Sequence, residues 1–97
     1  MNKVVRTKDL ILNVKEIYFL QIQSGTKTYE YREIKPFWTK RLKTPYPGIQ
    51  IRLGYPKADD KSKILRFAWN GFFVTTIDLM GEGMKNVYAF PLNETRI

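Results

Sequence analysis

The sequence predicts an α+β fold, a small and mostly antiparallel β barrel with one main helix and a short second helical turn. Several short segments alternate apolar and polar residues, as strands with one buried face do. Stretches that contain glycine and proline, which favour turns, separate these segments. The 97 residues are enough for one modest core, so we expect a single domain over residues 1–97.

The first two elements are a strand and the main helix. The run LILNV (10–14) suits a short strand, and KEIYFLQIQSG (15–25) has the three- and four-residue apolar spacing of about two helical turns. Gly25 is expected to end the helix, because glycine readily adopts the left-handed conformation that follows many helices. The helical residues expected to face the core are Ile17, Tyr18, Leu20 and Ile22.

The middle of the chain contributes two strands on either side of a proline-rich loop. The segment TYEYREI (28–34) alternates as a strand, and IQIRLGY (49–55) does the same. Between them, KPFWTKRLKTPYPG (35–48) contains three prolines, which predict a loop with one helical turn at 37–42.

The last third is expected to form a hairpin and a final strand. The segment ILRFAWNGFFVTTIDL (64–79) has Asn70-Gly71 at its centre, a dipeptide that supplies the positive φ angles of a tight hairpin turn. After a flexible GEG at 81–83, NVYAFPL (86–92) predicts the last strand.

The composition excludes several classes of function. The chain has no cysteine and no histidine, which removes disulfides, thiolate nucleophiles, Cys/His zinc sites and Ser-His-Asp triads. We expect no metal site and no cofactor. The sequence shows no apolar run of signal-peptide or membrane-spanning length, so we expect a cytoplasmic protein that has no membrane partner.

Positive charge is concentrated in two segments of the chain. The formal net charge is +8. Residues 27–43 carry six Lys or Arg against two Glu, and residues 52–66 carry five Lys or Arg against two Asp. A fold that brings these segments together would create a face that attracts phosphates or an acidic partner. Lysines that serve solubility alone are the alternative.

The stretch SGTKTYEYR (24–32) combines a turn with a charged strand. Glu30 and Arg32 are two residues apart, so their side chains project from one face about 6.5–7 Å apart. Lys27 enters from the turn at Gly25 and could reach the same place. A carboxylate between two cations would orient both and leave excess positive charge for a ligand. A solvent-exposed ladder of ion pairs, which contributes little to stability, is the alternative.

The pattern Gly25-x-Lys27-x-x-Glu30-x-Arg32 resembles the G-x-K-x-x-E-x-R signature of the ASCH domain family, relatives of the PUA RNA-binding fold. All four signature positions match, and the predicted strand–helix–turn–strand context agrees. The resemblance implies a small β barrel whose cleft is lined by Lys27, Glu30 and Arg32. It also implies RNA or a nucleotide-like molecule as the ligand.

Some ASCH-like proteins are small hydrolases, so the resemblance leaves an enzymatic alternative, with Lys27 and Glu30 as the catalytic candidates. One group deacylates acylated cytidines and is similar here at Gly25, Lys27, Thr28 and Arg32, but Glu30 stands where that group carries a threonine. A ribonuclease is the other branch. There Lys27 would act as a cation or a general base, and Tyr31 or Tyr55 would assist.

A second set of residues supports binding rather than catalysis. Aromatic side chains stack on unpaired bases while cations hold phosphates, a combination that suits single-stranded RNA. A protein that offers its basic face to an acidic partner is the third alternative, and the sequence does not define the oligomeric state. The binding candidates are Lys27, Thr28, Glu30, Arg32, Trp38, Lys40, Arg41, Arg52, Tyr55 and Lys57.

Overall fold

A computed structural model describes residues 6–57 and 59–92 and gives a small α+β fold. Single turns of 3-10 helix lie at Lys61–Lys63 and Leu79–Gly81. The predicted main helix and the short second helical turn are both present. In chain order, the elements are β1 (Leu10–Val14), α1 (Glu16–Ser24), β2 (Tyr29–Glu33), α2 (Pro36–Arg41), β3 (Gly48–Leu53), β4 (Ile64–Ala68), β5 (Phe73–Asp78) and β6 (Met84–Pro91).

The six strands form two three-stranded sheets. The first has the order β1-β3-β4, and the second has the order β2-β6-β5. The β1–β3 pairing is parallel, whereas the other three pairings are antiparallel. The mostly antiparallel character is confirmed. The hydrogen bonds of the described strands do not close the two sheets into a barrel, so the closed barrel stays a prediction.

The predicted hairpin at residues 64–79 is wrong. Ala68 ends a strand that pairs with β3, and Phe73 begins a strand that pairs with β6. Gly71 does have a positive φ, 72°, but the turn leads the chain from one sheet to the other. Trp69 and Phe72 occupy the crossing and lie 6.4 and 6.2 Å, between ring centroids, from the buried Phe90. Aromatic packing on the core thus replaces the expected strand pairing.

The residues of helix α1 that face the core only partly match the four predicted. Phe19 and Ile22 are buried, whereas Ile17 and Leu20 are 59% and 51% exposed. The prediction for Ile22 is confirmed and those for Ile17 and Leu20 are wrong, because this short helix is apolar on both sides. Gly25 ends the helix at φ 83°, as predicted, and its N–H donates to the carbonyl of Ile22 over 3.1 Å.

One hydrophobic core joins the two sheets. Leu12, Ile49 and Ile51 from the first sheet and Phe90 from the second are fully buried in the same cluster. The same core also contains Phe19 and Ile22 of α1, so it holds the helix and both sheets together. In the described part of the chain, no helix has the length and apolar character needed to cross a membrane.

Candidate functional site

A buried carboxylate between two cations forms the centre of the site. Glu30 of β2 is 6% exposed. Arg32 Nη1 contacts Glu30 Oε2, and Lys27 Nζ lies 3.5 Å from Glu30 Oε1. Burying an ionised carboxylate is costly unless cations and hydrogen bonds compensate it. The predicted geometry of Lys27, Glu30 and Arg32 is therefore confirmed, and the cluster retains one excess positive charge.

The turn after α1 places Lys27 at the mouth of β2. The Lys27 N–H donates to the carbonyl of Gln21 over 3.0 Å, which holds the backbone against the helix. Its Nζ donates to the carbonyl of Tyr29 over 2.6 Å and lies 4.6 Å from the ring centroid of Tyr31. A backbone acceptor, a carboxylate and an aromatic face thus fix the ammonium group.

Arg32 connects β2 to the end of β1. Its Nη2 donates to the carbonyl of Asn13, and its Nη1 also donates to the carbonyl of Tyr31, each over 2.9 Å. The guanidinium carbon lies 5.5 Å from the ring centroid of Trp38 in α2. Because its contacts come from three elements, the guanidinium has a defined orientation.

The cluster lines a cavity of about 400 Å³, called the first cavity below. Tyr18 of α1 and Tyr31 of β2 contribute aromatic walls, and Lys15 adds a third cation. The segment 77–80, which includes Asp78, also lines the cavity. The lining contains three cations and two carboxylates, so the cavity as a whole favours an anionic ligand.

The wall at 77–80 was not found from the sequence. Met80 has a left-handed backbone with φ 56°, which is uncommon for a residue with a side chain. Asp78 Oδ1 accepts the N–H of Gly83 over 2.9 Å and closes this turn. The signal in the sequence was Asp78 with the GEG at 81–83 shortly after it, a combination that indicates a tight turn. It gave no indication that the turn faces Lys27.

A second cavity of about 250 Å³ lies beside α2. The guanidinium carbon of Arg41 is 3.6 Å from the ring centroid of Phe37, and that of Arg6 is 4.3 Å from the ring centroid of Tyr46. These distances are typical of cation–π contacts. The lining residues that matter for its chemistry are Arg6, Asp9, Phe37, Trp38, Arg41 and Tyr46.

Among residues 6–57 and 59–92, Asp9 is the one carboxylate in the wall of the second cavity, and its charge is compensated. Arg66 donates to it through Nε over 2.7 Å and through Nη2 over 3.0 Å, and Gln50 Nε2 donates over 2.8 Å. The hydrogen bond from Arg66 is the main cause that holds the pKa of Asp9 below its usual value, although partial burial opposes the shift.

The structure separates the predicted binding residues into three groups. Lys27, Glu30 and Arg32 line the first cavity, and Trp38 and Arg41 line the second. The remaining five line neither cavity. Arg52 donates twice to Gln50 Oε1 on the outer face of β3, over 3.0 and 2.7 Å, and Tyr55 is 91% exposed. The residues outside both cavities are Thr28, Lys40, Arg52, Tyr55 and Lys57.

The chemistry available to the two cavities is that of cations, carboxylates and aromatic rings. In residues 6–57 and 59–92, no group of three or more metal-ligating side chains is found. Comparison with known proteins finds no matching family model, no matching curated protein and no matching solved structure. The similarity to the ASCH family therefore stays a prediction from the motif itself.

Proposed function

We propose that this chain is an ASCH/PUA-like RNA- or nucleotide-binding protein, with a β barrel of that family, and that its ligand enters the first cavity. The observation that carries the proposal is the Lys27–Glu30–Arg32 cluster in the wall of a cavity that also presents Tyr18 and Tyr31. Cations beside aromatic rings match the phosphate and the base of a nucleotide.

Hydrogen-bond capacity at the cluster supports an anionic ligand. An ammonium group has three donors and a guanidinium has five. Lys27 Nζ donates to Tyr29 and faces Glu30, and the Arg32 guanidinium donates to Glu30 and to two backbone carbonyls. These contacts leave one donor on Lys27 and two on Arg32 for a phosphate or a base carbonyl. Because Glu30 fixes both cations, they need little reorganisation on binding.

The size of the first cavity suits a nucleoside or a single nucleotide. Its volume of about 400 Å³ lies within the range of about 300–1,000 Å³ that small-ligand pockets occupy. Lys27 Nζ lies closer to the ring centroid of Tyr31, at 4.6 Å, than to that of Tyr18, at 5.8 Å, so Tyr18 is the better candidate for stacking on a base.

A ribonuclease is the second candidate, because Lys27 and Glu30 share the first cavity with Tyr31 and Asp78. A lysine, a tyrosine and carboxylates together can supply cations and proton transfer without histidine. Thr28 does not line this cavity, so the hydroxyl needed for deacylation of an acylated cytidine has no support from the geometry.

The test is a titration of fluorescein-labelled, random-sequence single-stranded RNA into the wild type and Lys27→Ala at 50 and 200 mM salt. We expect wild-type affinity to fall at least tenfold between these salts, and Lys27→Ala to weaken binding by about tenfold, because each lost phosphate contact costs roughly 1–2 kcal/mol. Lys43→Ala is the matched control, since Lys43 is exposed and lines neither cavity.

The same mixtures are then run on a denaturing gel. Intact RNA with Lys27-dependent, salt-sensitive binding supports a recognition site. Shortening of the RNA by the wild type but not by Lys27→Ala would support the ribonuclease. An equal loss of RNA affinity in Lys27→Ala and Lys43→Ala would contradict the proposal. Absence of RNA binding by the folded wild type would also contradict it.

A further inference from the structure

We propose that the second cavity is an adjoining nucleotide subsite, so that the ligand is a single-stranded RNA of at least two nucleotides rather than a free mononucleotide. This inference rests on the proposed function, because it extends the ligand from the first cavity into the second. It assigns roles in the site to Arg6 and Tyr46, which the sequence pattern did not mark.

The two cavities are linked by a side-chain contact between a residue of each. Arg32 lines the first cavity and Trp38 lines the second, and the guanidinium carbon of Arg32 is 5.5 Å from the Trp38 ring centroid. A nucleotide chain that occupied both cavities would meet Arg32 in the first and Trp38 in the second. Arg32 is thus suitably placed for the phosphate that links the two nucleotides.

The charges in the second cavity favour a phosphate. In the described part of the chain, neither Arg6 nor Arg41 has a carboxylate within salt-bridge distance, 4.0 Å. Their described hydrogen bonds go to neutral acceptors, for example Arg6 Nη2 to the carbonyl of Arg41 over 3.0 Å. Asp9, the one carboxylate in the wall, is already bound to Arg66 and Gln50. Two guanidinium charges therefore remain available to a ligand.

The aromatic side chains of the second cavity favour a base. Phe37 and Trp38 pack edge to face at 4.9 Å between centroids, and both line the cavity. Tyr46 is held in place because its hydroxyl donates to the carbonyl of Arg41 over 2.7 Å. Arg41 and Arg6 already lie over the Phe37 and Tyr46 rings, so Trp38 is the ring that we expect to stack on a base of any sequence, as aromatic side chains of single-strand binding surfaces do.

The experiment is a competition series against the labelled random-sequence RNA 10-mer. The competitors are a mixture of the four nucleoside 5′-monophosphates, a 5′-phosphorylated random dinucleotide and a 5′-phosphorylated random tetranucleotide. The proteins are the wild type, Arg41→Gln and Lys43→Gln. Arg41→Gln removes a guanidinium from the second cavity but leaves its backbone carbonyl for Arg6 and Tyr46. Lys43→Gln has the same charge change two residues away, on an exposed side chain.

We expect the wild type and Lys43→Gln to prefer the dinucleotide over the mononucleotides by about tenfold, the effect of one well-placed cation–phosphate contact. In Arg41→Gln this preference should fall below about threefold, while mononucleotide competition stays unchanged. A wild type that binds mononucleotide and dinucleotide equally, or 10-mer binding that needs Lys27 but is the same in Arg41→Gln, would overturn the second subsite and leave the proposed function standing. Absence of any RNA or nucleotide binding would contradict both.

Discussion

Glu30 is the residue on which the candidate site depends. It is buried, and its two carboxylate oxygens face Lys27 on one side and Arg32 on the other. The sequence predicted this arrangement because alternation along a strand places residues two apart on one face. It could not predict the backbone carbonyls of Tyr29 and Asn13 that complete the cluster, because these contacts depend on how separate elements pack.

Replacing Glu30 with glutamine is expected to destabilise the fold. Glu30→Gln keeps the shape but leaves two partly buried cations facing each other, and we expect a loss of about 1–3 kcal/mol in the free energy of unfolding. Urea unfolding followed by circular dichroism measures this difference.

Glu33→Gln is the matched control on the same strand. Glu33 is more exposed, and its carboxylate oxygens lie 3.6 and 3.9 Å from the ammonium nitrogens of Lys35 and Lys85. Glu33→Gln should therefore lower the free energy of unfolding by less than about 1 kcal/mol. Equal effects of the two substitutions would show that Glu30 is no more than a surface ion pair.

The elements of the first half of the chain could be predicted because their signals are local. Gly25 ends α1 where the sequence indicates, and α2 at Pro36–Arg41 is shifted by one residue from the helical turn predicted at 37–42. The face of α1 could not be predicted, since apolar residues surround this short helix. The Asn70-Gly71 signal failed for a related reason: a turn dipeptide specifies backbone angles but not which strand becomes the partner.

Asp9 shows how one carboxylate joins all three strands of the first sheet. It lies just before β1 and accepts hydrogen bonds from Gln50 on β3 and Arg66 on β4. A hydrogen-bond network of side chains thus adds to the backbone pairing of this sheet. Its contribution depends on pH, because the contacts favour the ionised form and lower the pKa of Asp9 in the folded state.

Asp9→Asn is expected to lower the free energy of unfolding by about 1–3 kcal/mol at pH 7. A folded-state pKa below the ordinary 3.8 means that the carboxylate stabilises the fold above about pH 4. That stabilisation is lost as the pH falls through the lowered pKa. The difference between wild type and Asp9→Asn in urea unfolding should therefore be constant from pH 7 to about pH 5 and shrink below pH 4.

The control for this pH dependence is Asp59→Asn, at an exposed carboxylate. This substitution should change the free energy of unfolding by no more than about 0.5 kcal/mol. A difference between wild type and Asp9→Asn that does not change between pH 7 and pH 3 would contradict the role given to the ionised carboxylate.

At the scale of the whole molecule, the first cavity exists because two sheets share one core. β1 and α1, together with β2 and the turn after β5, all supply residues to its lining. The sequence could predict the residues of β2 because they are neighbours in the chain. It could not predict Tyr18 or the segment 77–80, which reach the cavity through the packing of the two sheets.

Net charge also acts at this scale. The formal charge of +8 attracts any polyanion, so binding to RNA alone would not identify the site. What distinguishes specific recognition is where the ligand lies. Lysines outside the two cavities, such as Lys57 and Lys61, should contribute to the on-rate and to the salt dependence more than to the position of the ligand.

The most direct test is an NMR titration of ¹⁵N-labelled protein with the single-stranded RNA 10-mer at 150 mM salt, read as amide shift changes along the chain. We expect the largest changes at residues 27–32 and 77–80, with a second group at residues 37–46 if the adjoining subsite is occupied. Saturable changes confined to these segments would support the cavity as the recognition site. Small changes spread over the exposed lysines of residues 57–63, with none at 27–32, would contradict the central claim.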